Sequence, residues 1–167
     1  MTTMKKLILF FLLTIGYTAY SQQAITTFIL TRHAEKGDDG SKDPDLTTAG
    51  NERAQLLVKI LKETNVDAIY ATAYKRTRNT VAPLAQAKGL TLEGYEAFKT
   101  DEIDLMLKKY AGGTIVISGH SNNIPWIVNY LIGKEQYQSF DDTRYDNLIV
   151  VSVLEKGKSA KVTWLSY

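Results

Sequence analysis

Apolar and polar positions along the chain alternate between two patterns. Short runs rich in β-branched residues mark strands, and runs with apolar residues every third or fourth position mark helices. Ile25 to Thr31 (ITTFILT) reads as a buried strand. A polar loop follows, from Gly37 to Asp45, dense in Gly, Asp, Ser and Pro and therefore the most mobile stretch expected. With Thr47 or Thr48 as N-cap, Ala54, Leu57, Val58 and Leu61 recur at helical spacing to about Glu63. Val66 to Ala71 is a second buried strand. Lys75 to Lys88 is a second helix, closed by Gly89 and blemished by Pro83, which predicts a kink or a restart.

Leu90 to Tyr95 is a weaker strand, and Asp101 to Tyr110 a helix with Asp101 as its cap. Thr114 to Ser118 (TIVIS) is the strongest strand, ending in Gly119-His120-Ser121. Asn122 or Asn123 caps a helix over about Ile124 to Leu131 with Pro125 in its first turn. Asn147 to Leu154 and Ala160 to Leu165, joined by Lys156-Gly157-Lys158, form a closing hairpin. Strands alternating with helices predict an α/β fold, a three-layer α/β/α sandwich with a largely parallel central sheet. Ligands of such sheets bind beyond the carboxyl ends of the strands, so the loops after Thr31, Ala71 and Ser118 converge.

The N-terminal 21 residues stand apart. Lys5 and Lys6 precede the apolar run Leu7 to Ile15, and Ala19-Tyr20-Ser21 supplies small residues at the positions a signal peptidase reads. The run is too short for a bilayer core of about 30 Å. The expected organisation is a signal peptide over 1–21 and one domain over 22–167, exported to the periplasm or beyond. An uncleaved anchor is the alternative. After signal removal no membrane association is expected.

Charge and composition narrow the function. The only charges of the leader are its two lysines, so the remaining chain is formally neutral, 18 bases against 18 acids. A nucleic-acid partner is not expected, because no basic stripe survives beyond Lys75-Arg76-Arg78. The absence of cysteine excludes a Cys nucleophile, a Cys-ligated metal and a lipoprotein anchor. Nothing in the pattern assigns an oligomeric state.

Both histidines of the chain fall directly after strands: Thr31-Arg32-His33-Ala34-Glu35 and Gly119-His120-Ser121. A neutral imidazole is nucleophilic near pH 7, and a phosphoryl group bound to it leaves readily. The transferred group keeps negative oxygens, which fixed guanidinium forks pair two at a time. Two arginines and a second histidine around one histidine therefore make a phosphoryl pocket.

Thr31-Arg32-His33-Ala34-Glu35 resembles the Arg-His signature of the histidine phosphatase superfamily, the phosphoglycerate mutase-like fold. In the same order, Leu46-Thr47-Thr48-Ala49-Gly50 resembles the opening of its first helix. Ala71 to Thr80 resembles the element with the second arginine, and Gly119-His120-Ser121 the second histidine motif. The resemblance implies that His33 is the phosphorylated nucleophile, that Arg32, Arg76 and His120 bind the phosphoryl oxygens, and that no metal or organic cofactor takes part. The small size is similar to the phosphohistidine-phosphatase-type branch. The implied substrate is a phosphorylated small molecule or phosphoprotein.

One departure concerns the proton donor. The phytase-like branch places an aspartate after the second histidine, where this chain has Ser121. In the mutase-like branch the donor is instead a glutamate after the third strand, and counting forward from Arg76 brings Glu102 forward as first candidate and Glu96 as second; Asp101 and Glu102 equally suit a helix N-terminus. Glu35 and Lys36 are candidates for the mouth, Ser121 and Asn122 for phosphate donors, and Tyr74, Tyr95, Tyr145 and Trp126 for substrate contacts. Three other functions remain open: a phosphoglycerate mutase, a catalytically silent phospho-ligand binding module, and a zinc hydrolase on His33 and His120.

Overall fold

In the computed structural model, residues 24–167 are described, and the expected signal peptide lies outside them. Six strands and four helices alternate: β1 (Thr26–Arg32), α1 (Thr48–Ile60), β2 (Ala68–Ala71), α2 (Lys75–Lys88), β3 (Leu92–Gly94), α3 (Thr100–Lys109), β4 (Thr114–Gly119), α4 (Asn123–Ile132), β5 (Asn147–Glu155) and β6 (Ser159–Ser166). The sheet order is β3-β2-β4-β1-β5-β6. The first four strands are mutually parallel, and the hairpin β5-β6 adds to β1 antiparallel.

The period of two along the central strands sorts their side chains onto two faces. Phe28, Leu30, Ile115 and Ile117 pack with Ile103 and Met106 of α3 and Ile124, Ile127 and Leu131 of α4. Ile29, Ile69 and Val116 pack on the other side with Leu57 of α1 and Val81 and Leu84 of α2. Each such side chain, fully buried, contributes about 1.5–3 kcal/mol, so both helical layers are held by ordinary hydrophobic burial. The three-layer sandwich expected from the sequence is the fold observed.

Local details depart from expectation where backbone groups found other partners. Helix α1 ends at Ile60 and passes into turns, with Thr47 as N-cap accepting from the Gly50 N–H. Helix α2 runs through Pro83 without restart and ends at Gly89 in the left-handed region. Asp101 is not the cap of α3: the helix starts at Thr100 behind Lys99, which leaves Asp101 and Glu102 in its first turn. Neither asparagine caps α4 through its side chain in the usual way. Asn122 makes no capping bond, and Asn123 lies inside the helix.

The polar loop after β1 is also less free than its composition implies. Lys36 bridges to Leu46, and the Gly37 N–H bonds the Asp45 carbonyl, closing its base. Its Asp43 carboxylate accepts the Lys75 N–H at 3.0 Å, capping α2 from outside because Tyr74 offers no side-chain cap.

Candidate active site

Register brings the site together. In the parallel ladders Arg32 pairs with Gly119, and Ala71 pairs with Ser118. His33 and His120 therefore each sit one residue beyond a matched pair, and the His33 N–H extends the ladder to the Gly119 carbonyl at 2.8 Å. Thr72 lies one residue past β2 and places its hydroxyl 3.0 Å from His120 Nε2. Arg76 enters from the first turn of α2. All four principal residues, Arg32, His33, Arg76 and His120, line one cleft of about 870 Å³.

The imidazole centroids of His33 and His120 are 5.6 Å apart. His33 is buried, and its Nδ1 lies 2.8 Å from the Ala34 carbonyl. A carbonyl only accepts, so Nδ1 carries the proton of the neutral ring and Nε2 holds the free lone pair. Burial, followed by repulsion from Arg32, Arg76 and His120, outweighs the raising effect of that hydrogen bond and lowers the His33 pKa to about 4. His120 is lowered to about 4 in the same way, by burial and then by Arg76 and Arg32. Both rings are neutral at pH 7.

The guanidinium groups are held by stacking and by backbone oxygens. Arg32 lies over the Tyr145 ring at 4.3 Å and donates through Nη1 to the carbonyls of Asp141 and Arg144 at 3.0 and 2.9 Å. Arg76 lies over the Tyr74 ring at 4.2 Å, with Nη1 3.6 Å from Asp43 Oδ1. Both Nε atoms are buried without a protein acceptor. Buried donors of this kind are costly unless something accepts from them.

Gly119 makes the second histidine motif possible. A Cβ there would stand 2.5 Å from Asn123 Oδ1 and 2.7 Å from the Tyr95 hydroxyl. The space is used instead by Asn123, whose Oδ1 accepts the His120 N–H at 2.6 Å and whose Nδ2 donates to Tyr95 at 2.7 Å.

Other candidates divide. Lys36, Tyr74, Tyr95, Ser121, Asn122 and Tyr145 line the cleft. Glu35 does not: Arg53 holds its carboxylate in a fork, with Nη2 to Oε1 at 2.7 Å and Nε to Oε2 at 3.0 Å. That pairing lowers the Glu35 pKa. Trp126 is outside the lining and stacks on Tyr130. Glu102 is also outside it, because its Oε2 accepts the Glu96 N–H at 2.9 Å. Glu96, the second candidate, is in the lining. Its side chain is 74% exposed, with Oε2 3.8 Å from Lys99 Nζ.

Sequence reasoning missed Phe98 and Asp142, which line the cleft, and gave no separate role to Thr72 in the loop after β2. Asp142 stands 3.6 Å from Arg32 and accepts from Ser121 Oγ at 3.2 Å. No local pattern marks Phe98 and Asp142; they arrive through loop paths. Among the described residues, no group of three or more His, Cys, Asp or Glu side chains is arranged to hold a metal ion.

The fold and the cleft define an α/β domain with two histidines and two arginines gathered in one cleft at the strand ends. The sequence model of the histidine phosphatase superfamily (branch 1) matches residues 28–105. Phosphoserine phosphatase 1 of Hydrogenobacter thermophilus is 38% identical over 81 residues, 45% of this chain and 36% of the relative. The matched part is thus little more than a third of that enzyme. Among solved structures, the protein histidine phosphatase SixA complexed with tungstate has a TM-score of 0.69 at 15% identity, covering 84% of this chain and 96% of the other. Bacillus stearothermophilus YhfR has a TM-score of 0.66 at 15% identity, covering 83% and 96%. At such identities the likeness is one of fold, phosphoglycerate mutase-like as expected.

Proposed function

We propose that this protein is a phosphatase that hydrolyses a phosphomonoester or phosphoramidate through a phosphohistidine on His33. The observation that carries the reading is the His33 ring itself. Its Nδ1 proton is committed to the Ala34 carbonyl, and its other nitrogen is free in a cleft shared with two guanidinium groups. His33 Nε2 attacks phosphorus in line, the P–O or P–N bond to the leaving group breaks, and the leaving atom takes a proton. Water then attacks the phosphohistidine, the P–N bond to His33 breaks, and inorganic phosphate is released. Arg32 and Arg76 neutralise the equatorial oxygens throughout, and His120 completes the ring of donors. Neither step calls on a cofactor.

Glu96, which borders the cleft, is the acid we assign to protonate an ester oxygen. A phosphoramidate leaves with less help, so it stays a substrate even where that proton is poorly delivered. The relative and the neighbours that carry phosphatase names support hydrolysis over mutase chemistry. The physiological substrate class is a phosphorylated small molecule or phosphoprotein. We also propose export, from the leader pattern of residues 1–21; protein recovered outside the cytoplasm should begin near Gln22.

The test is p-nitrophenyl phosphate hydrolysis with acid-labile trapping of labelled phosphoenzyme. The parent should turn over and trap label, and His33→Ala should do neither. Equal rates in parent and variant would dismiss the mechanism. An isomer rather than phosphate from phosphoglycerates would make it a mutase, and sulfate binding without turnover at any pH would make it a binding module. Activity lost to a strong chelator and restored by zinc would reopen the metal reading.

A further inference from the structure

At the end of β3 the backbone does something expensive. Phe98 has φ of 63°, and among the described residues no other non-glycine residue has positive φ. A bulky side chain rarely adopts that region, and a fold keeps such strain where the surroundings over-determine it and a site uses it. Phe98 does not gain burial in exchange, for it remains 49% exposed. It lines the cleft.

The ring is braced from behind. Trp126 meets Phe98 edge to face, with centroids 5.5 Å apart, and stacks on Tyr130 at 5.7 Å with planes 3° apart. Tyr130 in turn donates to Asp104 Oδ2 at 2.9 Å and carries Lys156 Nζ over its ring at 4.2 Å. Trp126 therefore packs on Phe98 from one side, while Phe98 remains half exposed and borders the cleft.

A second half-exposed aromatic shares the lining. Tyr74 follows β2, the neighbour of β3 in the sheet, and is 45% exposed. Its ring backs Arg76 and meets His120 edge to face at 5.1 Å. The phosphoryl-binding groups come from the ends of β1, β2 and β4, so Phe98 sits at the far, β3 end of the same cleft. That is where the part of the substrate beyond the phosphoryl group would extend. Exposed rings held rigidly at a pocket rim suit a flat, unsaturated partner, which gains stacking as well as burial.

We propose that Phe98, with Tyr74, forms a leaving-group subsite for a planar aromatic ring, so that the favoured substrates of this enzyme are aryl phosphates. The proposal deepens the phosphatase reading and rests on it for turnover, although binding tests it separately. Two non-hydrolysable probes of nearly equal size separate ring character from bulk: benzylphosphonate, with a planar ring, and cyclohexylmethylphosphonate, with a saturated one.

By calorimetry, the parent should bind benzylphosphonate roughly three- to tenfold more tightly than the saturated probe, the scale of an aromatic pair contact. Phe98→Leu should bring that ratio to near one, and Phe98→Tyr should retain it. Phe98→Gly relieves the backbone and removes the ring, so it should lose the ratio while folding at least as well. The kcat/KM ratio of 1-naphthyl phosphate to an alkyl phosphate should fall in the same variants, and taking the change between proteins cancels intrinsic leaving-group reactivity. Equal affinities in the parent, or a preference unchanged by Phe98→Leu, would overturn the subsite. A protein that shows the binding preference and hydrolyses nothing would keep the subsite and refute the phosphatase reading.

Discussion

His33 and His120 face each other with ring centroids 5.6 Å apart and planes inclined at 68°. Each ring lowers its pKa through burial first and through the nearby arginines next, and both come to about 4. A bound dianion cancels the arginine charges and favours protonation of the rings. By linkage, anion binding then draws protons, and affinity rises as pH falls from about 7 towards the free-protein value. Sulfate is a suitable probe because it stays dianionic across this range. Calorimetry should show tighter sulfate binding at pH 5.5 than at pH 7.5, and a flat profile would contradict the assignment.

The same shifts act on stability. An unfolded histidine titrates near 6.5, so between about 4 and 6.5 the unfolded chain binds protons that the folded chain refuses. The stabilisation is complete above the unfolded value and is lost as pH falls through that window. Urea melts at pH 7.5 and 4.5 should show the loss, and His120→Gln should show less of it.

Arg32 is a structural keystone as well as the proposed anion ligand. Its Nη1 serves two backbone carbonyls, Asp141 and Arg144, while its ring neighbour Tyr145 belongs to the same segment. Lysine keeps the charge but has no planar fork to serve both carbonyls and an oxyanion together. Hydrogen bonds to charged groups are worth about 1.5–3 kcal/mol each, so Arg32→Lys should weaken sulfate binding by about tenfold or more. Hydrogen exchange should speed up across 141–145. Unchanged exchange there would show that the carbonyl contacts do not hold the loop.

Much of the site was readable from one kind of signal, strand ends carrying rare residues. His33 and His120 were visible because a β-branched run stops directly before each motif, and ladder register then leaves them adjacent. What was hidden depends on pairings across the chain. Glu35 looked like a mouth residue until Arg53, eighteen positions on, captured its carboxylate. Glu102 looked like a proton donor because counting residues cannot follow the turn by which its side chain reaches back to the Glu96 amide. Asp142 reaches the cleft from a segment with no periodicity at all. Phe98 could not be read as special, since positive φ in a phenylalanine leaves no mark in sequence.

Gly50 pits helix propensity against packing. It lies in the first turn of α1, where alanine would favour the helix by about 1 kcal/mol. A Cβ there, however, would clash with the Glu35 carbonyl oxygen and stand 3.1 Å from the Glu35 amide nitrogen, both backbone atoms of the loop that carries His33. Overpacking against a fixed neighbour costs about 1–3 kcal/mol, so the clash wins. Gly50→Ala should lower the melting temperature by about 2–4 °C per kcal/mol lost and reduce kcat as the His33 loop shifts. A melting temperature at or above that of the parent would mean that the loop yields freely.

The two glutamates can be told apart by the leaving group. Glu96 lines the cleft, whereas the Glu102 carboxylate is occupied by the Glu96 N–H. If Glu96 protonates the departing oxygen, its removal matters in proportion to how badly that oxygen needs the proton. General acid catalysis supplies about 10²–10⁴-fold for a poor leaving group and little for p-nitrophenolate. Glu96→Gln should therefore slow an alkyl phosphate by two orders of magnitude or more while leaving p-nitrophenyl phosphate within a few-fold of the parent. Glu102→Gln keeps an acceptor for the Glu96 N–H and should change both substrates alike and only slightly. The decisive quantity is the ratio of kcat/KM values for the two esters in each variant. A ratio disturbed by Glu102→Gln and untouched by Glu96→Gln would return the donor role to the helix residue that the sequence first brought forward.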